Sequence, residues 1–223
     1  MPSQLTFDLP VRSAFGREDF FVAPSNEVAL RSIERWRDWP GNRLIVTGNA
    51  GSGKTHLARV WQGDVAALFQ RCENGGTLKF APVPEGTRLV LEDIDEICGD
   101  SAGEEALFHL VNRAQGGEIH LLMTATCAPA RIGFRLPDLK SRIEASFTAA
   151  IAPPDDALLA TLLVKQFNDR QLVVPPGVIE FLLGRMERSA ASVQRLVVAL
   201  DREALALKRP VTRRLAGQVL DKL

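Results

Sequence analysis

The chain carries no excess charge of either sign: Lys and Arg number 27, and Asp and Glu number 27, across 223 residues. That balance argues against a dedicated nucleic-acid binder, which usually shows a strong basic surplus. Its three cysteines, Cys72, Cys98 and Cys127, are scattered and form no CxxC pair. This excludes a disulfide framework and a cysteine zinc site, and it fits a reducing, cytoplasmic setting. His56, His109 and His120 have no metal-ligand spacing and read as ordinary polar positions. No apolar run approaches about 18 residues, so no membrane span is expected. The N-terminus lacks a basic segment followed by an apolar one, so no signal peptide is expected. No internal repeat or low-complexity tract is visible.

What remains is ordinary for a soluble globular protein: 46% hydrophobic and 24% charged residues. A chain of this size buries roughly 70% of its unfolded surface, enough for a core without staples. The charge is unevenly spread. Residues 84–105 carry eight acids and one base, and residues 185–223 carry nine bases and four acids. Such halves suit an acidic site and a solvated basic face, or complementary faces for association, another copy of the chain included.

The hydrophobic pattern predicts an α/β protein. "PSNEVALRSIERWRDW" reads as a helix capped near Ser25, with Val28, Ile33 and Trp36 on one side and Pro40-Gly41 ending it. "RLIVTG", "LVLEDID" and "HLLMTAT" are short, nearly continuous apolar runs suited to the interior of a parallel sheet. The last two are separated by a helix, "GEEALFHLVNRAQ", and "FTAAIAPP" is a final strand. Strand and helix in alternation give parallel pairing. After Pro154 the chain turns wholly helical, and Val193, Leu196, Val197 and Leu200 recur at helical spacing as a core-facing stripe. The expected division is a leader over 1–12, a nucleotide-binding α/β domain over 13–152 and a helical lid over 153–223.

The chemistry concentrates after the first strand. "GNAGSGKT" is a complete G-x-x-x-x-G-K-T phosphate loop: Gly48, Asn49, Ala50, Gly51, Ser52, Gly53, Lys54 and Thr55. Its glycines let backbone N–H groups curl around a phosphate, and the following helix adds its positive end. Lys54 supplies charge to the outer phosphates, and Thr55 offers a hydroxyl to Mg²⁺. About forty residues later Glu92 and Asp93 stand where a metal-holding carboxylate and a water-positioning acid are wanted. The usual order places Asp first. Either Glu92, one methylene longer, reaches Mg²⁺ through water, or Asp93 takes that role and leaves no catalytic carboxylate. Thr126 ends the "LLMTAT" strand, where it could touch a γ-phosphate or the attacking water. Arg142 follows a helix-like turn in "LPDLKSRIEASF".

Together these segments resemble the DnaA branch of the AAA+ ATPases, and within it the Hda-like regulators of replication initiation. "FGREDFFVAPSNEVAL", "GNAGSGKTHL", "LVLEDIDEICGD", "ALFHLVNR" and "LLMTATCAPARIGFRLPDLKSR" follow in the family's order. The resemblance implies an AAA+ fold, a parallel sheet flanked by helices with a small all-α lid, binding ADP or ATP with Mg²⁺. It implies an adenine pocket including Phe21, Val22 and Asn26, nucleotide contacts continuing to His56, and an arginine at position 142 that acts in a neighbour's site. The lid position that often holds a nucleotide-sensing arginine reads Gln194, with Arg195 adjacent. With Glu92 in place of Asp, this implies weak intrinsic hydrolysis and a stable ADP form.

The chain stops at Leu223, where the resemblance completes the lid, so no helix-turn-helix and no sequence-specific DNA binding are expected. The remaining segment is the leader. Gln4, Leu5, Phe7 and Leu9 match the peptide by which Hda-like proteins dock on the β sliding clamp of the replicative polymerase, an extended segment offering alternate side chains to a pocket. The implied partners are that clamp and the DnaA initiator, in a bacterial cytoplasm at the replisome. The alternative is a DNA-associated ATPase or helicase loader driven by its own turnover.

Overall fold

The computed structural model describes residues 20–73 and 83–223. The expected clamp peptide, Gln4, Leu5, Phe7 and Leu9, lies outside them. Five strands form one parallel sheet: β1 (Arg43–Thr47), β2 (Leu68–Arg71), β3 (Arg88–Glu92), β4 (His120–Ala125) and β5 (Phe147–Ala150). Their spatial order is β2-β3-β4-β1-β5, every pairing parallel. β1 is therefore interior, with Ile45 opposite Met123 on one side and Thr148 on the other, and all five of its residues are buried.

Because strand side chains alternate faces, β1 feeds two cores. Leu44 and Val46 join Val90, Leu122 and Ala149 beneath α1 (Glu27–Glu34) and α2 (Lys54–Val65), with Trp36, Trp39 and Trp61 filling the layer. Ile45 joins Leu89, Leu91, Leu121 and Met123 beneath α3 (Ser101–Gln115) and α4 (Pro137–Glu144). Every strand's C-terminal end faces one edge of this sandwich, which is where a loop after β1 must emerge.

The helices α5 (Asp156–Asp169), α6 (Pro176–Leu183), α7 (Ala190–Leu207) and α8 (Arg213–Leu220) share a third core that includes Leu163, Phe167, Leu182 and Val219. The stripe Val193, Leu196, Val197 and Leu200 lies in it, fully buried. Asp155, Ser189 and Thr212 cap α5, α7 and α8 through side-chain oxygens. No helix among the described residues is long and apolar enough to cross a membrane.

The first helix departs from expectation. It is eight residues long, its N-cap is Asn26, and a separate 3₁₀ turn carries Trp36 to Asp38. Val28 is 65% exposed, while Ala29, Leu30 and Ile33 are buried. At about 100° per residue, positions five apart diverge by about 140°, so Val28 and Ile33 cannot share a face. β2 has no counterpart in the expected strands. It is a short edge strand with exposed Leu68 and no buried face. Arg59 lies 3.3 Å from the centroid of its Phe69 ring.

Candidate functional site

The loop from Gly48 to Gly53 joins the buried end of β1 to α2 and crosses the C-terminal edge of the sheet. Gly53, at φ +104°, turns the backbone into α2. Lys54 is buried in the first turn of α2, and its Nζ donates to the carbonyls of Gly48 (2.7 Å) and Asn49 (3.1 Å), so the ammonium stands inside the loop. Burial lowers its pKa from the ordinary lysine value, while Asp93, Asp95 and Glu92 pull it back up.

The acids after β3 are sorted by geometry. Glu92, buried at the strand end, accepts a hydrogen bond from the Thr55 hydroxyl. The longer side chain thus reaches the residue that would share a metal with it. Asp93 sits in the left-handed region at φ +57°. Its N–H donates to Thr124 Oγ1 at 2.9 Å, and its carboxylate pairs with Arg71 at 3.0 Å. Asp95 accepts from the Thr126 N–H (3.1 Å) and from its hydroxyl. Thr126 is therefore turned to a carboxylate of its own chain. Arg71, Thr124 and Asp95 were not among the expected site residues; Asp95 and Thr124 stood in quoted strand motifs without a role, and Arg71 becomes visible only through pairing across the sheet.

The segment before α1 bridges loop and lid. Asn26 is buried, donating from Nδ2 to the Phe21 carbonyl (2.8 Å) and accepting on Oδ1 from the Ala23 N–H (2.9 Å). Phe20 meets His56 of α2 edge-on at 5.3 Å, and Lys165 of α5 lies 5.4 Å from the centre of the Phe21 ring. Val22 is exposed. The Ala152 N–H donates to the Ser25 carbonyl at 2.8 Å, closing the strap onto the chain as it enters the lid.

Gln194 is exposed, and Arg195 pairs with Glu187 at 2.9 Å. The lid instead meets the loop through the start of α7, where the Ala190 N–H donates to the Gly51 carbonyl at 3.0 Å. The S-A-A-S capping pattern marks that helix start in the sequence. A Cβ on Gly51 would lie 2.9 Å from Ser189 Cβ and 3.1 Å from Ala191 Cβ, and φ there is +73°. Gly51→Ala is expected to cost about 1–2 kcal/mol from the backbone alone, lowering Tm by about 2–8 °C. It should also weaken nucleotide binding by displacing the lid. Thermal unfolding and nucleotide titration check both.

These residues fit the phosphates of a nucleotide and their metal. The loop offers backbone donors, an interior cation and a hydroxyl beside a carboxylate. Ser25 Oγ and Ser52 Oγ are buried without a partner among the described residues. No cluster of three or more His, Cys, Asp or Glu among the described residues could chelate a metal by itself. A nucleotide's Mg²⁺ needs only Thr55, Glu92, phosphate oxygens and water.

Arg142 is elsewhere. It lies in the last turn of α4, where Nη1 donates to Gln115 Oε1 (2.6 Å) at the end of α3 and the guanidinium stands 5.4 Å from the Phe108 ring centroid. Gln115, Gly41 and Ser146 surround the N-terminal end of β1, whereas the phosphate loop leaves its C-terminal end. β1 has five residues, so the two ends are about 13–17 Å apart.

Comparison with known structures places this arrangement. Domain III of the Thermotoga maritima replication initiation protein DnaA superposes with a TM-score of 0.78 at 19% identity, covering 96% of this chain and 98% of that one. The fold is AAA+. A Thermotoga maritima RuvB mutant superposes with TM-score 0.67 at 15% identity, over 89% of this chain and 68% of that one. DnaA bound to AMPPCP and single-stranded DNA gives 0.71 at 17% identity, over 87% and 67%. In sequence the chain is similar to DnaA from Aliarcobacter butzleri, 22% identical over 221 residues, 87% of this chain and 49% of that protein. DnaA from Thermomicrobium roseum is 25% identical over 231 residues, 91% and 48%. This AAA+ chain thus spans about half the length of the curated relatives it matches. No family model matches it.

Proposed function

We propose that this chain is an Hda-like negative regulator of chromosomal replication initiation in the bacterial cytoplasm. It binds ADP or ATP with Mg²⁺, docks on the β sliding clamp through Gln4, Leu5, Phe7 and Leu9, and stimulates hydrolysis of DnaA-bound ATP with Arg142 acting in trans. The observation that carries the reading is the position of Arg142. It stands at the opposite end of the sheet from its own phosphate loop, so the triphosphate it can serve belongs to another molecule.

In its own site, Lys54 and the loop N–H groups would hold phosphate, and Thr55 with Glu92 would hold the metal. When bound, Mg²⁺ neutralises charge on the phosphate oxygens. Asp93 is the remaining candidate to orient water, and Arg71 holds its carboxylate. Thr126 is likewise engaged with Asp95. Slow intrinsic turnover follows. Arg71→Ala releases Asp93 and is expected to raise the intrinsic hydrolysis rate roughly tenfold, with nucleotide affinity unchanged. Single-turnover hydrolysis beside equilibrium nucleotide binding checks it.

The function is tested by measuring hydrolysis of ATP on DnaA, with clamp-loaded DNA, in the presence and absence of this chain. Acceleration that disappears when residues 4–9 are deleted supports the reading. No acceleration by the intact chain refutes it. The second reading, a DNA-associated ATPase or helicase loader, draws on the arginines of the lid, including Arg185, Arg188, Arg202, Arg213 and Arg214. The balance of 27 basic and 27 acidic residues opposes it. Salt-sensitive DNA binding by the isolated chain would favour it.

A further inference from the structure

The start of β1 carries a charge that the nucleotide site does not use. Arg43 is 6% exposed, and no carboxylate among the described residues pairs with it. A buried unpaired guanidinium needs another source of negative potential. Here two helix C-termini supply it. α3 ends at Gln115 and α4 at Glu144, both beside the first residues of β1. Asn42 Nδ2 donates to the Ala114 carbonyl at 3.2 Å, tying α3's end to the residue before Arg43. Helix C-termini carry partial negative charge and favour cations. The guanidinium packs over Gly41, where a Cβ would lie 2.6 Å from Arg43 Nη1. Burial, and then the charge of Arg142, lower Arg43 below the ordinary arginine pKa.

Arg43 Nη1 donates to the Gly41 carbonyl at 3.5 Å, while its shorter hydrogen bond runs toward Arg142. Arg43 Nε donates to Ser146 Oγ at 2.8 Å, and Ser146 Oγ donates to the Arg142 carbonyl at 2.8 Å. The backbone of Arg142 is thus anchored to β1 while its guanidinium is directed along α3, to Gln115 and Phe108. Two like charges sit on either side of one turn. Arg43 is buried and Arg142 less so, so repulsion between them favours the outward placement of Arg142, toward Gln115 and Phe108.

We infer that Arg43 is a positioning residue for the trans-acting arginine: through Ser146 it locks the α4 turn that carries Arg142, and its buried charge keeps that guanidinium facing outward. The inference rests on the trans role proposed above. It assigns Arg43 no contact with nucleotide. A misplacement of about 1 Å can lower a rate by about 10²-fold, so a loosened turn should be visible in the stimulated rate.

The test uses the full chain and titrates it against ATP-loaded DnaA with clamp on DNA. Ser146→Ala removes the relay with the smallest structural change. Arg43→Met replaces the buried charge with an apolar side chain of similar length, removing the desolvation cost of the guanidinium together with its hydrogen bonds. Both are expected to lower the plateau of stimulated hydrolysis about tenfold while the half-saturating concentration stays within about twofold, the pattern of an interaction realised in the transition state. Arg43→Lys, which keeps charge and a donor, should recover most of the plateau. A merely structural role would move the melting temperature and not the plateau. An unchanged plateau in Ser146→Ala, or a loss explained entirely by weaker half-saturation, overturns the inference. The wild-type chain in the same assay separates the two readings. If it gives no stimulation, the trans role falls and this inference with it. Stimulation by wild type and Ser146→Ala alike removes the inference alone. A readout independent of activity is the Arg43 Nε–H resonance, expected to exchange slowly with solvent in wild type and fast in Ser146→Ala.

Discussion

An Arg142→Ala chain is expected to fold, bind adenine nucleotide and bind clamp as wild type does, yet to lose its acceleration of ATP hydrolysis on DnaA. A trans-acting arginine contributes about 10³–10⁵ in rate, or about 4–7 kcal/mol of barrier. The loss is expected at the lower end or beyond. The reason for so large an effect is what the guanidinium does. Its planar fork places two donors on oxygens that gain charge as the phosphoryl group transfers, in a site from which water is excluded. Arg142→Lys keeps a point charge without the fork and should retain only a small fraction of the stimulation. The fold has little stake in this side chain. Among the described residues its one side-chain hydrogen bond is to Gln115, worth about 0.5–1.5 kcal/mol. A Tm within a few degrees of wild type therefore accompanies the loss. Undiminished stimulation by Arg142→Ala would refute the role assigned to this arginine.

The parts of this molecule legible in its sequence are those whose physics is local. β1, β3 and β4 stood out because a strand buried on both faces must be apolar throughout, as Leu44, Ile45 and Val46 are. The phosphate loop stood out because its backbone curvature needs glycine at fixed spacing. The stripe on α7 stood out because a helix buries one face. β2 did not, since an edge strand with Leu68 exposed has no buried face to write into its residues. Glu92 and Asp93 could not be told apart along the chain. Their roles diverge because the strand ends at Glu92, aiming it at Thr55, while the positive φ of Asp93 swings its carboxylate to Arg71. Thr126, which could touch a γ-phosphate or the attacking water, is bonded in the structure to Asp95, a partner 31 residues earlier. Arg43 drew no separate reading as the first residue of "RLIVTG", because its meaning depends on two helix ends that converge there in space.

Glu104 shows the same limit most sharply, and its removal is expected to have the largest effect on stability. In the sequence it is one acid of "GEEALFHLVNRAQ", indistinguishable from Glu105. In the structure it is 1% exposed. Its carboxylate accepts from the Gly99 N–H (2.8 Å), the Arg135 N–H (2.9 Å) and the Leu136 N–H (2.8 Å). The last two donors open α4, whose N-cap Leu136 has no capping side chain and whose first residue is Pro137. The negative charge that a helix start favours therefore comes from α3, across the fold. Glu104→Ala leaves three part-buried N–H groups without their acceptor, and each such group costs up to about 1–3 kcal/mol. A total of about 3–5 kcal/mol is expected, the range seen when one partner of a buried charged interaction is removed. That corresponds to a Tm lower by about 6–20 °C for a chain of this length. Glu104→Gln keeps the volume and one acceptor oxygen, and should fall between. Denaturant melts with an unchanged m-value would confirm that the native state is what was weakened. If Glu104→Ala melts within a degree of wild type, the carboxylate does not hold α4, and the anchoring of the helix that carries Arg142 must come from its apolar face, Leu139 and Ile143, and from the Ser146 hydrogen bonds at its C-terminal end.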